Sequence, residues 1–152
     1  MAHQLRPVGL DFVDTAPVRL VFGREMRAAP KAVFRALAED VPGWSRWLPG
    51  VRSARPTERG REVRLRGGVR FEETVLASTA PEVYAYRVDA ANVPGARAWL
   101  EEWHLTAHGT GTRVRMTFAL DGAAPFLAVC RLAAPGMGRA IREGIRALDA
   151  GL

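Results

Sequence analysis

The sequence predicts an α+β domain: a seven-stranded antiparallel sheet wrapped around one long C-terminal helix, with two short helices after the first strand. Three observations predict it. Apolar residues alternate with period two through most of Val51–Leu120, interrupted only by short turn signals. After Gly122 the apolar period becomes that of a helix and stays so to the C-terminus. A further strand pattern near the start is separated from the rest by two brief helical stretches. A sheet of this size must bury its apolar face, and the terminal helix is the only element long enough to cover it.

Each element follows from local chemistry. Residues 1–16 show no period and carry Pro7 and Gly9, with Pro17 just beyond, so they read as an extended N-terminal arm ahead of a single domain spanning 17–152. Val18, Leu20 and Phe22 alternate along a first strand, Val18–Met26. In AAPKAVFRALAED, Pro30 suits a first helical turn, and Val33, Phe34 and Leu37 recur at helical spacing. VPGWSRWL gives a second short helix that ends at Pro49-Gly50. Six strands follow, at Val51–Arg55, Arg61–Arg66, Val69–Ser78, Val83–Ala90, Arg97–Ala107 and Thr112–Leu120. Arg59-Gly60, Gly67-Gly68, Ala80-Pro81, Val93-Pro94-Gly95 and Gly109-Thr110-Gly111 mark the turns between them. The terminal helix runs from about Pro125 to Ala150 with Cys130, Ala134, Met137, Ile141, Ile145 and Leu148 as its apolar stripe. Pro135-Gly136 predicts a kink in it.

Composition narrows the function classes. A chain of 152 residues is one domain's worth, and its longest apolar run, Ala123–Cys130, is far too short to span a bilayer. The N-terminus lacks a basic stretch followed by an apolar core, so the expected location is cytoplasmic. The single cysteine, Cys130, excludes an intramolecular disulfide and a cysteine-based zinc site. His104 and His108 lie four apart on a strand, ~13 Å from each other, so no metal site is expected. No nucleophile elbow, phosphate loop or dinucleotide fingerprint is present, and no cofactor is expected. The net charge of +6 rests on 21 arginines against one lysine, Lys31, a skew that points to coding bias. Arg52, Arg55, Arg59, Arg61, Arg64, Arg66 and Arg70 form the densest basic stretch. Without interleaved aromatics it reads as a solvated outer sheet face and not as a nucleic-acid footprint. Were one of these guanidiniums to turn inward, it could bind an enolate or carboxylate. The expected assembly is a monomer or homodimer.

A twisted sheet gripping a kinked helix rich in alanine and glycine leaves a mainly apolar cavity. Alternation brings to one face Phe71 and Glu73, then Tyr84 and Tyr86, then Trp99, Glu101 and Trp103, then Met116 and Phe118. A carboxylate on such a wall is a candidate general acid or base, because burial raises its pKa. Glu73 and Glu101 are therefore the candidate catalytic residues, unless a bulge turns them to solvent. The aromatic side chains are either ligand contacts or core. Trp44 and Trp47 lie in the short second helix, where one caps a ligand or both pin the helices to the sheet.

The segment AAPKAVFRALAEDVPGWSRWLPGV resembles the opening signature of the START/Bet v 1-like (SRPBCC) superfamily, in its polyketide cyclase/dehydrase and lipid-transport branch. PEVYAYRV followed by WLEEWHLTAHGTGTRVRMTFAL resembles the central hairpin of that branch. The likeness covers about residues 18–150 in element order. It implies the helix-grip fold, a deep hydrophobic cavity and a hydrophobic small molecule (lipid, polyketide or aromatic metabolite) as partner. The expected ligand contacts are Trp44, Phe71, Tyr84, Tyr86, Trp99, Trp103, Met116 and Phe118. The alternative is a polyketide cyclase or aromatase that closes a poly-β-keto chain by aldol condensation and dehydration. Enzymes of the branch present an arginine and tyrosines to the pocket. Tyr84 and Tyr86 are available here, but alternation assigns no arginine inward, which places binding ahead of catalysis.

Overall fold

The computed structural model describes residues 1–152. Its sheet joins β2 (Val18–Met26), β3 (Val51–Pro56), β4 (Gly60–Leu65), β5 (Arg70–Thr79), β6 (Val83–Ala91), β7 (Ala96–His108) and β8 (Gly111–Gly122). The strand order is β2-β8-β7-β6-β5-β4-β3, antiparallel throughout. Between β2 and β3 come α2 (Pro30–Ala38), a single 3-10 turn at Val41–Gly43, and α3 (Trp44–Trp47). Pro30 occupies the first turn of α2, which buries Val33, Phe34 and Leu37. The expected helix-grip architecture is present.

The terminal helix α4 (Ala124–Gly151) packs against β2, β8 and α3. Its inner face buries Phe126, Cys130, Ile141, Ile145 and Leu148. Met137, on the same stripe, is only half-buried because it borders a cavity instead of packed side chains. Pro135 stands inside the helix without ending it. The carbonyl that proline leaves without a partner belongs to Arg131, on the exposed side. Close approach of helix and sheet depends on Gly138, where a Cβ would come within 2.8 Å of the Phe22 ring.

Residues 1–16 are more built into the sheet than their lack of period suggests. β6 pairs with β7 only between Val83–Arg87 and Leu100–His104, and beyond that the two strands diverge. A two-residue strand, β1 (His3–Gln4), enters this fork and pairs with Ala91 and Ala90 of β6. The next two amides reach both sides: Leu5 donates to the Asp89 carbonyl at 2.8 Å and Arg6 to the Arg97 carbonyl at 2.8 Å. The arm thereby meets backbone groups that a diverging pair would leave without partners. Leu5 itself joins the main core. The chain then crosses to the outer face, where α1 (Phe12–Thr15) packs Phe12 and Val13 on Ala98, Leu100 and Ala119.

Two substitutions in this arm separate its packing from its surface charge. Leu5→Ala should destabilise the protein by about 2–5 kcal/mol, the range for emptying a buried leucine site. Arg6→Ala, which loses the exposed pair with Asp121 and a guanidinium contact 5.9 Å from the Phe12 ring centre, should lower stability by less than about 1.5 kcal/mol. Urea unfolding measures both. Equal losses would mean that the arm does not seal the core through Leu5.

Candidate ligand-binding site

A cavity of about 300 Å³ lies between α4 and the inner face of the sheet. Val63 and Phe71, Trp99 and Trp103, and Met116 and Phe118 supply the sheet wall, while Met137, Ala140 and Ile141 supply the helix side. Its solvent-facing rim includes the exposed Pro49, Gly50 and Arg66. A larger groove of about 560 Å³ lies beside the arm, lined by Gln4, Pro7, Thr57, Glu58 and Arg59 among others. Leu5 is its one hydrophobic lining residue, so it offers little surface to an apolar ligand. The smaller cavity is the candidate site.

Both glutamates face inward, as alternation predicts, despite a bulge beside Glu73 in the β5–β6 pairing. Arg61 does so as well, and here the expected outer basic face needs correction. Along β4, Arg61 and Val63 are buried while Arg64 points to solvent. The antiparallel register then sets Arg61 opposite Glu73 and Val63 opposite Phe71. The guanidinium Nε donates to Glu73 Oε1 at 2.5 Å, and the two side chains are 3% and 2% exposed. The guanidinium carbon lies 4.0 Å from the Trp44 ring centre and 3.9 Å from that of Tyr86, so the cation is held between two aromatic faces. The signal for this inward arginine was in the sequence, in its period-two step from Val63.

A second set of hydrogen bonds positions that frame. Tyr86 Oη donates to Glu101 Oε1 at 2.6 Å, and Trp99 Nε1 donates to Glu101 Oε2 at 2.8 Å. Trp103 Nε1 donates to Tyr86 Oη at 3.2 Å. Trp44 is tied to the end of α2 by its Nε1, which donates to the Leu37 carbonyl at 3.0 Å. Trp47 is buried with its ring centre 4.8 Å from that of Trp44. Of the expected contacts, Trp44, Phe71, Trp99, Trp103, Met116 and Phe118 border the cavity together with Glu73 and Glu101. Tyr84 and Tyr86 stand one layer behind: Tyr84 meets Phe34 of α2, and Tyr86 backs Arg61 and Trp44.

The electrostatics follow from burial. Desolvation raises the Glu73 carboxyl to about 7, against the pull of Arg61 and with help from the neighbouring Glu101. Glu101 is also raised by burial, with Tyr86, Arg61 and Trp99 opposing the shift. Burial and the adjacent Glu101 hold Tyr86 well above the usual phenol range, so it remains a donor. Burial opposes the charge on Arg61, but Glu73 with Tyr86 and Tyr84 outweighs it and keeps the guanidinium protonated. A carboxyl near neutrality beside a fixed cation can take up or release a proton under ordinary conditions.

This arrangement has a stability signature. Unfolded, Glu73 loses its proton near 4.5; folded, it keeps it to about 7. The unfolded chain therefore binds fewer protons between those values, and stability should fall as pH rises, by at most about 1.4 kcal/mol per unit from this group. The decline should level off above pH 7. Urea unfolding across pH 5–8 should show a shallower slope in Glu73→Gln, with Glu101 supplying the remainder. An unchanged slope in that variant would place the titration elsewhere.

Comparison with known proteins agrees with this geometry. Residues 18–152 match the family described as polyketide cyclase / dehydrase and lipid transport. An uncharacterized protein of Mycobacterium tuberculosis is 27% identical over 148 residues, covering 93% of this chain and 88% of its own. A START superfamily protein from Mycobacterium smegmatis superimposes with a TM-score of 0.68 at 11% identity, covering 87% of this chain and 94% of that one. The Zhui aromatase/cyclase of a Streptomyces species gives 0.68 at 16% identity, covering 88% and 92%. These two structures share the fold; the family match spans nearly the whole chain beyond the arm. The chain belongs to the polyketide cyclase / dehydrase and lipid transport family.

Proposed function

We propose that the protein binds one hydrophobic small molecule, a lipid, polyketide or aromatic metabolite, inside this cavity. In this reading residues 17–152 form the ligand-binding domain and the arm of residues 1–16 closes the sheet at its fork. The observation that carries it is the lining: 13 of 19 residues around the 300 Å³ space are hydrophobic, and the buried charges are confined to Arg61, Glu73 and Glu101. Such a wall binds an apolar body and orients it by one polar end. Membership of the family supports the same class of partner.

A second reading, cyclisation of a poly-β-keto chain, is favoured by the inward Arg61. Its absence from the sequence-derived wall was the reason for placing binding first, and that reason no longer holds. In this chemistry Glu73 removes a proton from a methylene between two carbonyls. The enolate oxygen accepts a hydrogen bond from the guanidinium, and the carbanion closes on a second carbonyl. The alkoxide so formed is protonated, and loss of water completes the ring. Every step needs only a proton shuttle and a fixed donor, both present in the cavity.

An environment-sensitive apolar dye should bind saturably at one per chain. Trp103→Ala should weaken it by about 1–3 kcal/mol through lost aromatic surface. Product analysis on a poly-β-keto mimic separates the two readings. Under the binding reading the mimic is recovered unchanged from wild type and Glu73→Gln alike. Cyclised product from wild type that disappears in Glu73→Gln, with dye affinity retained, would establish the cyclase instead.

A further inference from the structure

Arg61 is not fully used by the protein. Its Nε meets Glu73, but Nη1 is buried and has no hydrogen-bond partner. An unmatched charged donor inside a protein is costly, so a group bordering a cavity in this state calls for an acceptor supplied from outside. Two carboxylates already face this one cation, with Glu101 from β7 and Glu73 from β5. The other ionisable groups around Glu73 are Tyr84, Tyr86 and Asp89 of β6. Asp89 is engaged by Arg87 at 2.9 Å and by Thr74. The α4 residues lining the cavity, Met137, Ala140 and Ile141, bring no charge. A ligand anion on the Arg61 guanidinium would therefore place three buried negative groups around one positive one, which burial does not tolerate without neutralisation.

Only one of the two carboxylates is free to provide it. Both oxygens of Glu101 already accept a hydrogen bond, from Tyr86 and from Trp99, an arrangement suited to the ionised form. Glu73 accepts from Arg61 through one oxygen and has no second donor. When Glu73 is protonated, the guanidinium loses the contacting anion and an incoming one can replace it. We propose that the cavity takes up an apolar carboxylic acid as its anion on the Arg61 guanidinium, together with one proton from solvent that lodges on Glu73. The inference rests on the cavity being a ligand site, and it gives that ligand an acidic head and a pH-dependent affinity. Glu73, poised near 7, makes the exchange effective around neutrality.

The test compares 2-naphthoate with the uncharged 2-acetonaphthone, by calorimetry in two buffers of different ionisation enthalpy. Naphthoate affinity should be flat between about pH 5.5 and 6.5 and fall about tenfold per unit well above pH 7. At pH 8 close to one proton should be taken up per naphthoate bound, and none with the ketone, whose affinity should not vary with pH. Glu73→Gln should remove the pH dependence for naphthoate; if that variant does not fold, the proton count on the wild type decides alone. Naphthoate binding without proton uptake at pH 8 overturns the proposal. So does a ketone affinity with the same pH slope. Ketone binding with no naphthoate binding at any pH overturns it while leaving the cavity reading intact, and binding of neither probe overturns both.

Discussion

One buried cation organises the interior. Arg61 is 3% exposed, and a guanidinium cannot be removed from water to that degree unless its surroundings are fixed in advance. Three contacts fix it: Glu73 in the plane of the guanidinium and the Trp44 and Tyr86 rings on its faces. Each contact is itself anchored to a different part of the fold. Trp44 is hydrogen-bonded to the end of α2, and Tyr86 to Glu101 of β7 and Trp103 of the same strand. Glu73 is set by its register opposite Arg61. A single side chain thus ties β4 and β5 to β6, β7 and the helical segment between β2 and β3. The sheet cannot slip by one residue without turning the cation to solvent and opening that network.

The cavity is the counterpart of this rigidity. Close-packed interiors rarely keep voids larger than a water molecule, and a space of about 300 Å³ persists only if its walls cannot collapse inward. The sheet wall is held apart by the polar frame at one level and by large rings at the next, with Phe71 and Trp99 at 5.0 Å and Phe126 behind Trp99 at 6.0 Å. On the opposite side α4 makes its contact with β2 at Gly138 and with the turn after α3 at Gly144, where a Cβ would lie 2.8 Å from Leu48. Helix and sheet therefore touch at points where side chains are missing, and stand apart where Met137 and Ile141 face the cavity.

How much of this was legible in the sequence depended on whether a signal had a competitor. The strands follow from alternation and both early helices from helical spacing, with little to contradict either. The inward glutamates follow from alternation only against the competing chance of a bulge, which does occur beside Glu73. Arg61 obeys the same alternation, stepping by two from Val63, but it sits among so many arginines that its position was overshadowed by their collective charge. Composition argued for solvent where register dictated burial. The fork between β6 and β7 has no local signal at all. Two paired residues are too few to show a period, and what places them there is the unmet backbone of strands about 90 residues away. Tyr84 and Tyr86 show a further limit: alternation tells which face a side chain takes, but not whether the cavity or another layer of side chains covers it.

The polar frame also assigns different duties to two carboxylates that the sequence treats alike. Glu101 accepts two hydrogen bonds from groups that do not give up their protons near neutrality, an indole and a phenol raised well above its usual range. Its work is to hold Tyr86 against the guanidinium and Trp99 on the cavity wall. Glu73 has one committed oxygen and one uncommitted, so a proton can arrive or leave without breaking its bond to Arg61. On the two proposed readings, binding and aldol closure draw on the same two groups in the same order: Glu73 holds a proton while Arg61 holds a negative oxygen. In a carrier that proton returns to solvent when the ligand leaves. In a cyclase it comes from the substrate methylene and goes back to the alkoxide or to the departing water. On these proposed readings, carrier and cyclase differ in where the proton on Glu73 originates, and not in a different set of residues.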